Sequence, residues 1–172
     1  NSKKNSIIQE KIKPINKNEY SLIKDLAEID LWIKEAEEVG EVAVDTETSS
    51  LDPHQTELIG VSLCSKIGKA CYIPIGHNSK RCIDREMVLK KLRPLLEDPS
   101  IKKIGQNIKF DFIVLFKHGI NISSMEDTML MSYVLDSGKN RHNMDALSEI
   151  HLNHKTISFK DLVGTGKKND KL

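Results

Sequence analysis

Val42-Ala43-Val44-Asp45-Thr46-Glu47 runs from an apolar, β-branched segment directly into two carboxylates. The apolar residues suit a strand, and side chains two positions apart in a strand share a face. Asp45 and Glu47 are therefore expected side by side, with Thr46 turned the other way as a structural residue. A carboxylate where an apolar strand ends is costly to bury without a partner, so a cation is expected there. A further acid follows in Asn107-Ile108-Lys109-Phe110-Asp111. Asn107 occupies a helix N-cap position and Asp111 lies one turn in. An acid in a first helical turn is favoured by the helix dipole alone. Brought to the strand pair, it also completes an oxygen-rich nest for hard divalent ions. Two such ions roughly 3.5–4 Å apart clamp the attacking and leaving oxygens of a phosphodiester displacement. The chemistry suggested is hydrolysis of a nucleic-acid backbone.

Outward from this stretch, the pattern reads as strands followed by helices. Apolar residues at three- and four-residue steps from Leu22 to Ala36 predict a helix over 21–39, stopped by Gly40. Trp32 is expected to pack at its edge. Strands are expected over 41–46, 58–64 and 70–75, the last two as antiparallel neighbours. Asp84 should cap a helix through Leu96 whose apolar face includes Met87, Val88, Leu92, Leu95 and Leu96. A short strand over 101–105, a helix from Asn107 to Gly119, and helices over 125–135 and 144–152 complete the pattern. This alternation predicts an α/β domain with a mixed sheet. Residues 1–20, polar and broken by Pro14, read as a flexible linker, with the domain over 21–172.

At 172 residues, the chain is the size of one domain, and 38% hydrophobic with 30% charged residues suits a soluble protein. No apolar run approaches the roughly 18–20 residues of a membrane span, so no membrane partner is expected. Cys64, Cys71 and Cys82 lack C-x-x-C spacing, which suggests neither a zinc site nor a disulfide framework and fits a reducing cytoplasm. Cys64 and Cys71 are expected as small buried hydrophobes. Residues 21–60 carry eleven acidic and two basic side chains, whereas 80–120 carry ten basic and five acidic ones. With a net charge of +1, this balance disfavours salt-dependent duplex binding and favours a locally gripped single-stranded end.

An ordered set of motifs spans the chain from about Glu41 onward. It comprises Asp45-Thr46-Glu47-Thr48, Ile104-Gly105-Gln106-Asn107 leading to Asp111, Asp127-Thr128-Met129-Leu130, Arg141-His142-Asn143-Met144-Asp145 and His154-Lys155-Thr156-Ile157. In these motifs the chain resembles the 3′→5′ proofreading exonuclease domain of bacterial DNA polymerase I, within the ribonuclease H-like DEDD exonucleases. The resemblance implies a ribonuclease H-like mixed β-sheet flanked by helices. It also implies two Mg²⁺ or Mn²⁺ ions held by Asp45, Glu47 and Asp111, removal of nucleotides from a single-stranded DNA 3′ end, and a polymerase domain in the same parent chain. Asp45 would bridge both ions, Glu47 would bind one and orient the attacking water, and Asp111 would act through a water.

The resemblance also places Thr46, Leu51, Gln106, Asn107 and Phe110 among the positions that meet the substrate. Leu51 would wedge against the terminal base, although by pattern alone it reads as core. Phe110 offers either a stacking face, worth about 1–3 kcal/mol, or ordinary packing. Arg141 is suited to bidentate phosphate binding. Asp127 and Asp145 read as helix caps or network carboxylates. The family's last motif, a Tyr with an Asp four positions on, has no match after Asp145, since Tyr20, Tyr72 and Tyr133 all precede it. The chain thus reads as a C-terminally incomplete exonuclease domain, expected to be weak or inactive alone. Two alternatives are a non-catalytic single-strand-binding scaffold and an exoribonuclease of the ribonuclease D type.

Overall fold

In the computed structural model, which describes residues 19–77 and 82–157, the Val42-to-Glu47 stretch forms the middle of β2 (Glu41–Thr48). β2 pairs on one side, antiparallel, with β3 (Leu58–Lys66), which pairs antiparallel with β4 (Lys69–Pro74). On its other side β2 pairs, parallel, with β5 (Lys102–Gly105). β1 (Tyr20–Leu22) and β6 (Met125–Asp127) close the two edges as parallel partners of β4 and β5. The result is a mixed six-stranded sheet in the order β1-β4-β3-β2-β5-β6. With its flanking helices it is the expected α/β architecture.

One face of the sheet is the core. Val42, Val44, Val61, Leu63 and Ile73 are buried there with Ile29 and Ala36 of α1 (Leu26–Val39) and with Val88, Leu89, Leu92, Leu95 and Leu96 of α2 (Arg85–Glu97). Val114 and Leu115 of α3 (Ile108–Lys117) join the same cluster. The alternation of β2 places Asp45 and Glu47 on the opposite, open side. Trp32 is buried, with the Lys69 ammonium 5.2 Å from its ring centroid. Lys69 and Lys66 also pair with Glu35, and the Lys69 hydrogen bond foremost holds that buried carboxyl below its ordinary pKa.

Several expected boundaries move. The helix expected over 21–39 starts at Leu26, because the Asp25 side chain accepts from the Ala27 and Glu28 amides and caps it. The three residues Tyr20–Leu22 are instead drawn into the sheet. Of the expected linker, residues 1–18 lie outside the described residues, as does the tail of the expected domain from 158 onward. The helix expected over 125–135 divides into strand and helix. Met125–Asp127 pairs with Lys103 to Gly105, and α4 (Thr128–Asp136) begins under the Asp127 carboxylate. Local apolar spacing does not separate a three-residue edge strand from a first helical turn. Met87 is exposed, and Leu89 takes its place in the core face of α2. Cys71 is buried as expected; Cys64 is only half-buried, its Sγ donating to the Lys66 carbonyl. α5 (Met144–Leu152) falls where the pattern placed it.

Candidate active site

The carboxylate pair stands at the end of β2 where the sheet thins. β5 pairs with β2 only at Glu41, Val42 and Ala43, so the amides beyond that point are free for other acceptors on this side. Thr46 uses this freedom. Its amide and its Oγ1 both donate to Asp111 Oδ1, at 2.8 and 2.6 Å. Thr46 is thus more than a spacer, since it ties the strand pair to the acid of α3. The side chains of Asp45 and Glu47 have no hydrogen-bond or ion-pair partner among the described residues.

The electrostatics record the crowding of negative charge. Asp111 is 3% exposed, and burial pushes its pKa from 3.8 to about 6; the Thr46 hydrogen bonds pull it down and the charge of Asp45 pushes it up. Asp45 is exposed as a residue, yet partial desolvation of its carboxyl, and then the charge of Glu47, raise its pKa above the ordinary carboxylate value. Mutual repulsion among acids of this kind is what a divalent ion offsets. Among the described residues, however, no three His, Cys, Asp or Glu side chains converge into a ready-made metal-binding group. Asp45 and Glu47 share one face, while Asp111 reaches them through Thr46.

α3 is brought this close by two local devices. Gly105 ends β5, and a Cβ there would lie 2.7 Å from Ile108 Cβ, so only glycine lets the helix start against the strand. Asn107 stands at the N-cap position with φ 64°, but its side chain makes no cap bond. The Asp127 carboxylate serves instead, accepting from the Asn107 and Ile108 amides at 3.0 and 3.1 Å. It caps α4 as well, through the Met129 and Leu130 amides. Asp127 is therefore a network carboxylate, as its position suggested, and joins the starts of two helices. Asp145 likewise accepts from Thr156 Oγ1 at 2.6 Å.

The expected substrate positions differ in their freedom. Leu51, in the turn after β2, is 95% exposed and available to a ligand. Asn107 Oδ1 is buried without a hydrogen-bond partner, an acceptor aimed at nothing within the described protein. Phe110 is half-buried against the core, so packing occupies part of its ring. Gln106 is engaged at both ends: Nε2 donates to the His142 carbonyl at 2.7 Å and Oε1 accepts from Thr128 Oγ1 at 2.5 Å. Its neighbours fasten the same loop, with Ser132 Oγ 2.9 Å from His142 Nδ1 and the Tyr133 ring edge-on to the imidazole. Arg141 is left exposed beside this fastened residue, with no hydrogen bond or ion pair among the described residues. A cleft of about 300 Å³ is lined by Asp45, Gln106, Thr128 and Met144 among others, and so brings one of the carboxylates together with the loop-bound Gln106. The tie between Thr46 and Asp111 escapes sequence reasoning because it depends on which strand end meets which helix start.

Comparison with known proteins adds independent findings. A family model described as a 3′-5′ exonuclease matches residues 20–172. The DNA polymerase I of Rhizobium leguminosarum is 41% identical over 177 residues, covering 91% of this chain and 17% of that protein. The DNA polymerase I of Pseudomonas aeruginosa is 44% identical over 156 residues, covering 87% and 17%. The chain thus spans about a sixth of the length of these relatives. Among solved structures, Brucella melitensis NrnC with bound Mg²⁺ superposes with a TM-score of 0.61 at 26% identity, over 87% of this chain and 67% of that one.

Proposed function

Because the chain belongs to the 3′-5′ exonuclease family, we propose that it is the proofreading module of a DNA polymerase I and trims nucleotides from single-stranded or mispaired DNA 3′ ends in the cytoplasm. The observation that carries this reading is the pair Asp45 and Glu47 on the open face of β2, without an ion-pair partner among the described residues, with Asp111 bonded to the intervening Thr46. Hard oxygen donors with no ion-pair partner among the described residues fit Mg²⁺ or Mn²⁺, Asp45 and Glu47 as direct ligands and Asp111 through a water. When bound, a pair of such ions supplies charge neutralisation and a water acidic enough to attack phosphorus.

The protein groups do the rest. Asp45 and Glu47 would hold the ions, and Glu47 would also orient the attacking water opposite the leaving oxygen. Leu51 wedges against the terminal base, Phe110 offers the exposed part of its ring, and Asn107 Oδ1 accepts from the terminal sugar. Arg141, steadied through His142 and Gln106, grips the backbone phosphate. Of the four carboxylates that the family resemblance implies, Asp45, Glu47 and Asp111 match three. Weak activity is the corresponding expectation for this chain by itself.

The test is trimming of a 5′-labelled, 3′-mismatched DNA oligonucleotide, with an RNA oligonucleotide alongside, in Mg²⁺ or Mn²⁺. The 172-residue chain is compared with a longer one that continues toward the length of its relatives. Stepwise shortening of DNA by the longer chain supports the reading. Inactivity of both favours a single-strand-binding scaffold, and preference for RNA favours the ribonuclease D type.

A further inference from the structure

Tyr72 has no part in the chemistry above, yet its place in the sheet ties it to Glu47. Asp45 on β2 pairs with Ser62 on β3, and Ser62 with Tyr72 on β4, so the three stand in one cross-strand row. The next row is Glu47, Gly60 and Pro74. Tyr72 does not stay in its own row. A Cβ built on Gly60 would lie 2.0 Å from Tyr72 Oη and 2.3 Å from Cζ, so the hydroxyl end of the ring occupies the place of the missing side chain directly opposite Glu47. Cross-strand Cβ positions are about 4.5–5.5 Å apart, which sets the phenol against the glutamate.

The ring is locked there. Tyr72 Oη lies 2.6 Å from His77 Nε2, and the two rings meet edge to face at 5.7 Å and 68°. The His77 carbonyl in turn accepts from Cys82 Sγ at 3.2 Å. A phenol pinned over a glycine leaves Glu47 no room on the β4 side.

We infer that Tyr72, locked by His77 over Gly60, is a positioning residue that holds the Glu47 carboxylate toward Asp45 for divalent-ion binding. The inference rests on the carboxylate reading above and deepens it. Groups that hydrogen-bond to a metal ligand typically change metal affinity by 10–100-fold when removed, and a group that acts by packing is expected at the low end of that range.

The test is calorimetric titration of Mn²⁺ into the chain and into Tyr72→Phe, Gly60→Ala and His77→Gln, with thermal unfolding measured in parallel. Tyr72→Phe frees the ring, and Gly60→Ala, whose Cβ would lie 2.0 Å from Tyr72 Oη, displaces it by a different route; each is expected to weaken Mn²⁺ binding about tenfold, with the unfolding midpoint nearly unchanged for Tyr72→Phe and lowered for Gly60→Ala. His77→Gln, which keeps a polar partner for the phenol, is expected to retain most of the affinity. In a chain that trims DNA, Tyr72→Phe should lower kcat and leave KM for the oligonucleotide unchanged. If the parent chain binds Mn²⁺ and both ring variants bind it equally well, the positioning role is overturned while the carboxylate reading stands. A lowered midpoint with unaltered Mn²⁺ affinity means a structural role only and overturns it too. If the parent chain binds no Mn²⁺, the carboxylate reading fails and takes this inference with it.

Discussion

Replacing Asp111 by Asn should make the protein more stable and less able to cleave. Asp111 is buried, and its pKa stands at about 6 against the ordinary 3.8. A carboxyl whose pKa is raised on folding is more comfortable neutral than charged. Its contribution to stability is complete below the unfolded value and is lost as pH rises through the folded one. At about 1.4 kcal/mol per unit, the shift amounts to about 3 kcal/mol lost by pH 8, of which about half is already gone at pH 5. Asn has the shape of the protonated acid, and its Oδ1 can still accept from the Thr46 amide and Oγ1. Titrations of groups that do not feel Asp111 cancel between the two proteins. Asp111→Asn should therefore gain about 1.5 kcal/mol over the parent at pH 5 and about 3 kcal/mol at pH 8. Urea unfolding at pH 5, 6.5 and 8, with divalent ions chelated, measures this gain directly. A gain that stays flat or falls with pH, or that is absent at pH 8, refutes the reasoning. Mn²⁺ should shrink the gain, because an ion near Asp111 stabilises only the charged parent.

Asp45→Ala should abolish trimming of DNA by a cleaving chain and leave thermal unfolding unchanged or slightly raised, since the lost carboxylate sits beside Glu47 with no partner among the described residues; residual trimming at the parent rate counts against the site. Asp127→Ala removes the acceptor for the Asn107, Ile108, Met129 and Leu130 amides, and by uncapping two helices should cost about 2–3 kcal/mol in denaturant unfolding. Lys103 is fully buried, its Nζ donating to the Leu95, Asp98 and Ile101 carbonyls at 3.5, 2.5 and 2.6 Å. Lys103→Met keeps the apolar stem but strands those carbonyls at the end of α2, and a loss of about 3 kcal/mol is expected by the same measurement.

Periodicity and composition were enough for much of this protein. The step from period-two apolar alternation in β2 to helical spacing in α2 and α5 is local, and each element follows from side chains that alternate or recur on one face. The carboxylate pair was legible for the same reason, since Asp45 and Glu47 must share a face in any strand that buries Val42 and Val44. Tyr20–Leu22 and Met125–Asp127 were not legible as strands, because three residues carry too little period and their pairing partners lie far along the chain. The site shows the same division. Residue types and order named Asp45, Glu47, Asp111 and Arg141, but tertiary contact alone decided that Thr46 would hold Asp111, that Asp127 rather than the Asn107 side chain would cap α3, and that Gln106 would be bound to the loop beside Arg141. These are choices among hydrogen-bond partners separated by tens of residues. Register and helix placement set them, and no short-range pattern encodes either.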